Sequence, residues 1–225
     1  VSYVDVFDIL EIARDIIGRH GIREGRKLEM LVDALVTNVS SPASAKSMGS
    51  TLDLNTRTVQ EYFALLEDAY LVFFVNHFSY SMRAQYTYPR KVYCVDTGLR
   101  NAVGFSFSED AGRLMENLVY LRLRREGEVY YWKDGDAEVD FVVKRGREVC
   151  ALVQSCYDIG AEKTWRRESS ALIKALKKFG MSSGTVVTWD DERKVNIEGH
   201  TIECVPLWKW LLSPPTASPS PPLGK

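Results

Sequence analysis

The chain has 225 residues, of which 45% are hydrophobic and 26% charged, and its formal net charge is -1. This composition is typical of a globular protein with one large or two small domains, and the balanced charge means that any nucleic-acid site must be a local basic patch. No apolar window could span a bilayer and no secretory leader opens the chain, so we expect no membrane association and a cytoplasmic location.

The N-terminal half predicts helices followed by two strands. Apolar residues at helical spacing predict helices at positions 4–22, 27–39 and 56–69. Pro42 favours the start of a further helix, and Asn55 is a suitable N-cap for the helix over 56–69. The apolar runs Leu71–Phe78 and Lys91–Val95 predict strands, which are joined by the polar, tyrosine-rich loop Ser79–Arg90.

Three helices followed by a two-stranded ribbon with a basic connecting loop is the element order of a winged helix. The helix over 56–69 would then be the recognition helix, and the loop Ser79–Arg90 the wing. The candidate DNA contacts on these elements are Arg57, Gln60, Arg83, Arg90 and Lys91. Glu61, Glu67 and Asp68 would repel phosphates, so packing of this module against protein is an alternative interpretation.

The middle of the chain predicts a helix followed by a β-meander. The helix covers Arg113–Arg125 and carries Glu116 on a second, partly inward face, although a solvated surface glutamate is the alternative. Strands follow at positions 128–132, 137–143 and 149–155, and Asp-Gly between the first two is typical of a hairpin turn. Asp140 stands between Val139 and Phe141, so it needs a partner, a metal or a solvent-filled cleft.

The C-terminal part predicts a basic helix and more strands. The helix Ala161–Phe179 carries Lys163, Arg166 and Arg167, which are further candidates for nucleic-acid contact, although a solvated helix face is the alternative. A strand at 185–189, a hairpin at 195–205 and a short helix at 206–212 follow. The proline-rich segment Ser213–Lys225 is predicted to be a disordered tail.

Several chemistries find no support in the sequence. Cys94, Cys150, Cys156 and Cys204 form no CxxC pair, which favours free thiols in a reducing cytoplasm. His20, His77 and His200 are scattered and none stands at metal-ligand spacing to another. The chain has no GxxxxGK[ST], so it cannot itself hold a nucleotide through a P-loop and we expect no ATPase activity.

The helix, three strands, helix and strand of the C-terminal half, with a carboxylate on the second strand, resemble the PD-(D/E)XK restriction-endonuclease-like fold. The sequence blocks 66–72, 89–93, 95–99, 116–121, 129–132, 138–141 and 206–210 resemble the C-terminal region of archaeal and bacterial AAA-type P-loop ATPases that carry a domain of unknown function. In that family an ATPase domain precedes a winged helix and a nuclease-like domain. The resemblance implies an ATPase partner in cis or in trans.

The resemblance also implies an α+β chain with four segments. These are an N-terminal helix and linker (1–25), a winged helix (26–100), a nuclease-like domain (101–212) with a central mixed sheet flanked by helices, and the tail (213–225).

Carried over by position, Asp140 matches the metal-binding aspartate of the nuclease-like fold. Gln154 stands at the acidic-or-glutamine position, Cys156 replaces the motif lysine, and Glu116 matches the helix glutamate that can serve as an extra ligand. If the site is active, Asp140, Glu116 and Gln154 would hold Mg²⁺ or Mn²⁺. A thiol cannot replace an ammonium beside a phosphate, so the resemblance implies a degenerate site.

Three functional hypotheses follow. The first is a non-catalytic or degenerate nuclease-like module that binds DNA and regulates an AAA-type ATPase. The second is a metal-dependent DNA nuclease centred on Asp140. The third is a protein-interaction module that docks the ATPase domain.

Overall fold

The computed structural model describes residues 6–85, 87–98 and 110–214, and the chain divides into two units. The first unit comprises Val1–Asn76 and Tyr86–Asn117, and the second comprises His77–Gln85 and Leu118–Lys225. The division therefore falls later than the predicted boundary at residue 100, and part of the predicted wing loop belongs to the second unit.

The first unit contains helices and a small antiparallel sheet. Its elements are α1 (Val6–His20), α2 (Gly25–Thr37), β1 (Pro42–Ala43), α3 (Ala45–Leu52), α4 (Thr56–Asp68), β2 (Val72–Val75) and β3 (Arg90–Cys94). The sheet order is β1-β3-β2. The apolar stripes of the helices form one core, in which Leu28, Leu31 and Phe63 are almost completely buried.

The prediction that a helix starts at Pro42 is wrong. Pro42 lies in β1, where it pairs with Lys91, and α3 begins only at Ala45. Ser44 is the N-cap and its hydroxyl accepts a hydrogen bond from the Ser47 N–H at 3.4 Å. A serine cap supplies an acceptor for the first turn, whereas Pro42 fits the edge of a short strand because it has no N–H to donate.

The second unit is built on a six-stranded mixed sheet. Its elements are α5 (Met82–Gln85), the part of α6 (Asp110–Leu123) from Leu118 onwards, β4 (Glu128–Asp134), β5 (Ala137–Arg145), β6 (Glu148–Ser155), α7 (Glu162–Phe179), β7 (Ser183–Thr188), β8 (Arg193–Ile197), β9 (His200–Pro206) and α8 (Leu207–Leu212). The strand order is β4-β5-β6-β7-β9-β8. The predicted α+β class with a mixed sheet flanked by helices is confirmed at this level.

Strand directions in this sheet follow from the connections. The two-residue turn Gly135-Asp136 joins β4 to β5, and Gly135 has a φ of +63°, which glycine adopts without steric cost. α7 connects β6 to β7, and a helical crossover of this kind joins parallel strands. The hairpin β4–β5 and the parallel pair β6–β7 therefore lie side by side in one sheet.

The side chain of Arg122 on α6 holds the C-terminal end of the described chain. Its guanidinium donates to the carbonyl oxygens of Trp210 (2.6 Å), Leu211 (2.7 Å), Ser213 (2.9 Å) and Pro214 (3.1 Å). Trp210 and Leu211 lie in the last turn of α8 and Ser213 and Pro214 follow it, where backbone carbonyls lack the i+4 donor of a helix interior. Ser213 and Pro214, the first residues of the predicted disordered tail, are thus bound, and the rest of that tail lies outside the described residues.

Within the described ranges, no helix combines the length and the apolar character that crossing a bilayer requires.

The buried amide of Asn117 joins α6 to the sheet of the first unit. Asn117 Nδ2 donates to the Cys94 carbonyl oxygen at 3.1 Å, and Asn117 Oδ1 accepts from the Cys94 N–H at 2.9 Å. The backbone of β3 pairs with β1 at Arg90 and Lys91. Cys94 lies beyond the end of β1. There the side-chain amide of Asn117 supplies the donor and the acceptor that a neighbouring strand would otherwise provide.

We therefore expect Asn117→Ala to lower the free energy of unfolding by roughly 2–4 kcal/mol, because it removes two buried hydrogen bonds to the backbone of Cys94. Urea denaturation checks this. Asn38→Ala is the matched control, since the Asn38 amide is exposed and bonds only to the Ala34 carbonyl of its own helix; we expect a change of about 0.5 kcal/mol or less. Equal effects of the two substitutions would contradict the assignment.

Candidate functional site

The site lies where β5 and β6 stop pairing through their backbones. Their ladder runs from Arg145 and Glu148 to Phe141 and Val153. Beyond that pair, side chains make the connections between the strands. The Asp140 N–H donates to Gln154 Oε1 at 3.2 Å, and the Ser155 N–H donates to Asp140 Oδ2 at 3.0 Å. Asp140 and Gln154 therefore lie together, as the sequence predicts.

A second buried carboxylate, Glu168 on α7, completes this polar cluster. Gln154 Nε2 donates a hydrogen bond to Glu168 Oε2. Arg167 donates to Glu168 Oε1 through Nε at 2.9 Å and Nη2 at 2.5 Å. Asp140, Gln154 and Glu168 are each less than 10% exposed, at 7%, 5% and 5%. We call Asp140, Gln154, Arg167 and Glu168 the polar cluster.

Sequence reasoning did not identify Glu168. The sequence does contain a pattern that predicts its burial. Glu168 stands three residues after Trp165 and four residues before Leu172. These spacings place it on the apolar stripe of α7, which faces the sheet. A carboxylate within such a stripe has to be paired when the helix docks.

Burial sets the protonation behaviour of the cluster. Burial raises the pKa of Glu168, as does the negative charge of Asp140, whereas the bond from Arg167 opposes this rise. Burial, together with the charge of Glu168, raises the pKa of the Cys156 thiol to about 11. At neutral pH Cys156 is thus a protonated, uncharged thiol, which cannot take over the role of a lysine ammonium.

Glu116, the predicted extra ligand, belongs to the first unit. Its Oε1 accepts from the Tyr93 hydroxyl at 2.8 Å and lies 3.4 Å from Lys91 Nζ. The side chains of Lys91 and Glu116 are only 5% and 14% exposed. The Glu116 carboxylate is thus engaged in a buried ion pair, and Lys91 is not presented to solvent as a phosphate contact would require.

The donor set of the polar cluster does not fit the Mg²⁺ or Mn²⁺ that the nuclease-like resemblance implies. Such ions need several oxygen ligands that are available to them. Gln154 turns its nitrogen to Glu168 and its oxygen to a backbone N–H, and both Glu168 oxygens accept hydrogen bonds. Ser155 Oγ, buried without a hydrogen-bond partner among the described residues, adds no charge. Across residues 6–85, 87–98 and 110–214, no three His, Cys, Asp or Glu side chains are grouped for a metal ion.

The predicted DNA contacts of the first unit differ in exposure. Arg57 and Gln60 are exposed on α4, and Arg57 pairs with Glu61 at 3.0 Å. The Arg90 guanidinium lies 4.3 Å from the Phe74 ring centroid and 3.8 Å from Glu67 Oε2. Arg57 and Gln60 are therefore more accessible to a DNA ligand than Arg90 is.

The remaining predicted contacts lie in the second unit. Arg83 is exposed on α5, and Lys163 is exposed at the start of α7. Arg166 and Arg167 are 74% and 72% exposed, but Arg166 pairs with the exposed Glu162 whereas Arg167 pairs with the buried Glu168. Adjacent arginines on one helix thus differ in their partners.

This difference predicts different effects of two neighbouring substitutions. We expect Arg167→Ala to lower the free energy of unfolding by roughly 1–3 kcal/mol, because it leaves the buried Glu168 carboxylate without its cation. The matched control Arg166→Ala removes only a surface pair and should change stability by about 0.5 kcal/mol or less. Urea denaturation of both variants measures this, and an equal loss in the two would refute the buried pairing.

A pH dependence follows from the raised pKa of Glu168. The folded state binds this proton more tightly than the unfolded state does, so the stability that the group contributes falls as the pH rises above the ordinary value of 4.5 towards the raised folded value. Relative to Glu168→Gln, the wild-type free energy of unfolding should therefore decrease across that window and level off above it.

Urea denaturation from about pH 4 to about pH 8 measures this difference. Glu162→Gln is the control for removing a carboxylate from an exposed position of the same helix. A constant difference between wild type and Glu168→Gln at every pH would contradict the expectation.

Two family models and two curated relatives are similar to this chain. Residues 9–110 match a family model described as Domain of unknown function (DUF8612), and residues 111–210 match Domain of unknown function (DUF4143). An uncharacterized protein of Methanocaldococcus jannaschii is 35% identical over 216 residues, which cover 89% of this chain and 47% of the relative. An uncharacterized protein of Haemophilus influenzae is 27% identical over 214 residues, which cover 92% of this chain and 51% of the relative.

No solved structure matches the chain. The chain spans about half the length of the curated relatives it matches. The two family matches meet at residues 110 and 111, at the start of the described part of α6. The chain is therefore similar to DUF8612 over its first half and to DUF4143 over most of its second half.

Proposed function

We propose that the chain is a non-catalytic, nuclease-like module that binds DNA and acts together with an AAA-type P-loop ATPase domain. The polar cluster is the observation that supports a non-catalytic role. Asp140, Gln154 and Glu168 hydrogen-bond to one another or to nearby backbone N–H groups. Groups that are paired in this way hold β5, β6 and α7 together and are not available as ligands.

The order of elements in the first unit supports a winged helix as the DNA-binding part. α2, β1, α3, α4, β2 and β3 follow one another, and the three strands form an antiparallel sheet in the order β1-β3-β2. In a winged helix the last helix before the ribbon enters the major groove. That helix is α4, which exposes Arg57 and Gln60.

Exposed cations at the start of α7 support a second contact with DNA. Lys163 and Arg166 are exposed on adjacent turns of this helix. Surface arginine and lysine can exchange a weak ion pair for a phosphate contact, and each phosphate contact releases counterions. The overall charge of -1 requires such local sites.

The exposed apolar side chains of α8 support the ATPase partner. Trp208, Leu211 and Leu212 are 61%, 37% and 80% exposed. Neighbouring exposed apolar side chains are typical of contacts with another protein. The family resemblance provides the identity of that partner, and docking it in cis or in trans would couple nucleotide hydrolysis to DNA binding.

Titration of a labelled DNA duplex at several salt concentrations, with a parallel plasmid-cleavage assay in Mg²⁺ and in Mn²⁺, tests this proposal. We expect binding that weakens steeply with salt, with no cleavage of the plasmid. Lys163→Ala and Arg166→Ala should each reduce the slope of log affinity against log salt by about 0.9. Lys194→Ala is the matched control, since Lys194 is 69% exposed but lies on β8.

Two results would overturn the proposal. Failure to bind DNA at low salt would exclude the DNA-binding role. Metal-dependent cleavage that Asp140→Ala abolishes would instead establish the nuclease alternative, whereas cleavage that this substitution leaves unchanged would indicate a contaminating nuclease.

A further inference from the structure

A cavity of about 400 Å³ lies within the second unit, away from the polar cluster. Three aromatic side chains, Phe78, Tyr80 and Tyr130, line it together with the cations Lys144 and Arg147. The volume falls within the range of small-molecule sites, roughly 300–1,000 Å³. Its lining combines ring faces with positive charge, which is the chemistry that recognises a base and its phosphate.

The fold holds the aromatic wall in place. Phe78 is 5% exposed, and its N–H donates to the Tyr131 carbonyl oxygen at 2.6 Å. Its ring meets those of Tyr80 and Tyr130 edge to face, with centroids 5.2 Å and 5.4 Å apart. Tyr80 itself is 79% exposed. A fixed, buried phenylalanine thus positions a tyrosine whose ring is largely open to solvent.

A side-chain contact also restrains the segment that carries Tyr80. Gln85 Nε2 donates to the Ser79 carbonyl oxygen at 2.6 Å, which closes the segment on itself. A ring held in advance loses less conformational freedom when a ligand binds. The wall is therefore preformed for stacking.

The charges at the cavity are not equivalent. Lys144 Nζ lies 3.1 Å from Glu128 Oε2, which also accepts from the Tyr130 hydroxyl at 2.7 Å. These two hydrogen bonds lower the pKa of Glu128. The carboxylate therefore stays negatively charged and offsets the positive charge of Lys144. Arg147 is exposed and makes no ion pair with any residue that the structure describes. The net positive charge beside the rings is that of Arg147.

The turn between β5 and β6 presents Arg147. Gly146, immediately before it, has a φ of +59°, a conformation that glycine adopts without steric cost. The turn thus places a guanidinium at the rim of the cavity next to the aromatic wall. Arginine binds phosphate through two parallel hydrogen bonds.

We propose that this cavity is a nucleobase subsite, in which a base stacks on Tyr80 and its phosphate pairs with Arg147. The inference rests on the proposed DNA-binding function and specifies it further. We assign a single strand as the ligand, because the bases of a duplex are already stacked on their neighbours. A free nucleotide offers the same base and phosphate, and the experiment separates these two sources.

Fluorescence anisotropy with a labelled dT oligonucleotide of about 20 nucleotides tests the subsite, since site sizes in single-strand binding run from about 4 to 16 nucleotides. Tyr80→Ala should weaken binding roughly 5- to 100-fold, the loss expected for one stacked base. Tyr80→Phe keeps the ring and should bind within about 2-fold of wild type. Arg147→Ala should weaken binding and reduce the salt slope by about 0.7.

Tyr70→Ala and Arg19→Ala are the matched controls, because these side chains are 66% and 73% exposed and lie in the first unit. Neither should change the affinity for the oligonucleotide. Because Tyr80 and Arg147 are exposed, we expect their variants to fold, and circular dichroism confirms this before titration.

The outcomes separate the subsite from the proposed function. If wild type binds the oligonucleotide but Tyr80→Ala and Arg147→Ala bind equally well, the subsite is refuted and DNA binding stands. If wild type binds neither the oligonucleotide nor thymidine monophosphate, the subsite is refuted, and the duplex titration alone decides the proposed function. If the monophosphate binds as tightly as the oligonucleotide with the same dependence on Tyr80 and Arg147, the subsite stands and its ligand is a free nucleotide.

Discussion

The second unit depends on how the end of the ladder between β5 and β6 is closed. Past Phe141 and Val153 the backbones no longer pair with each other, so the polar groups exposed there need other partners. Asp140 and Gln154 each bond to the backbone or side chain of the opposite strand. Glu168 then links the same place to α7. One group of side chains thus joins two strands and a helix.

The need to pair these buried groups also limits their use as metal ligands. A carboxylate that stabilises a fold must be saturated with donors, whereas one that serves as a ligand must keep an oxygen available. Glu168 accepts on both oxygens, from Gln154 and Arg167. The buried acidic residues of the six-stranded sheet can therefore serve a structural purpose, since fold alone does not determine activity.

The sequence predicts well those features that local patterns determine. The turn at Gly135, the cap at Asn55 and the need of Asp140 for a partner are all readable from short stretches, and the structure contains each of them. Pairings between distant positions are different. Lys91 stands at the start of a predicted strand and is a predicted DNA contact, but β3 buries it against Glu116, 25 residues later, and no local pattern selects that partner.

Phe78 and Glu168 also show that a local pattern does not reveal a distant packing partner. Phe78 reads as the end of an apolar strand, yet its ring packs in the core of the second unit with Trp132 and Phe179. Periodicity shows that a residue is apolar but not which core receives it. Glu168 escapes a pattern that counts only apolar residues on α7, because its burial follows from how that helix docks on the sheet.

The guanidinium of Arg122 has a consequence for the order of folding. Its acceptors on Ser213 and Pro214 lie 91 and 92 residues further along the chain, so these contacts close a loop that contains nearly the whole second unit. Closing long loops costs more entropy than closing short ones, and contacts of high sequence separation slow folding. We therefore expect the hairpin β4–β5 to form early and the Arg122 contacts to form late, when the sheet between them is already assembled.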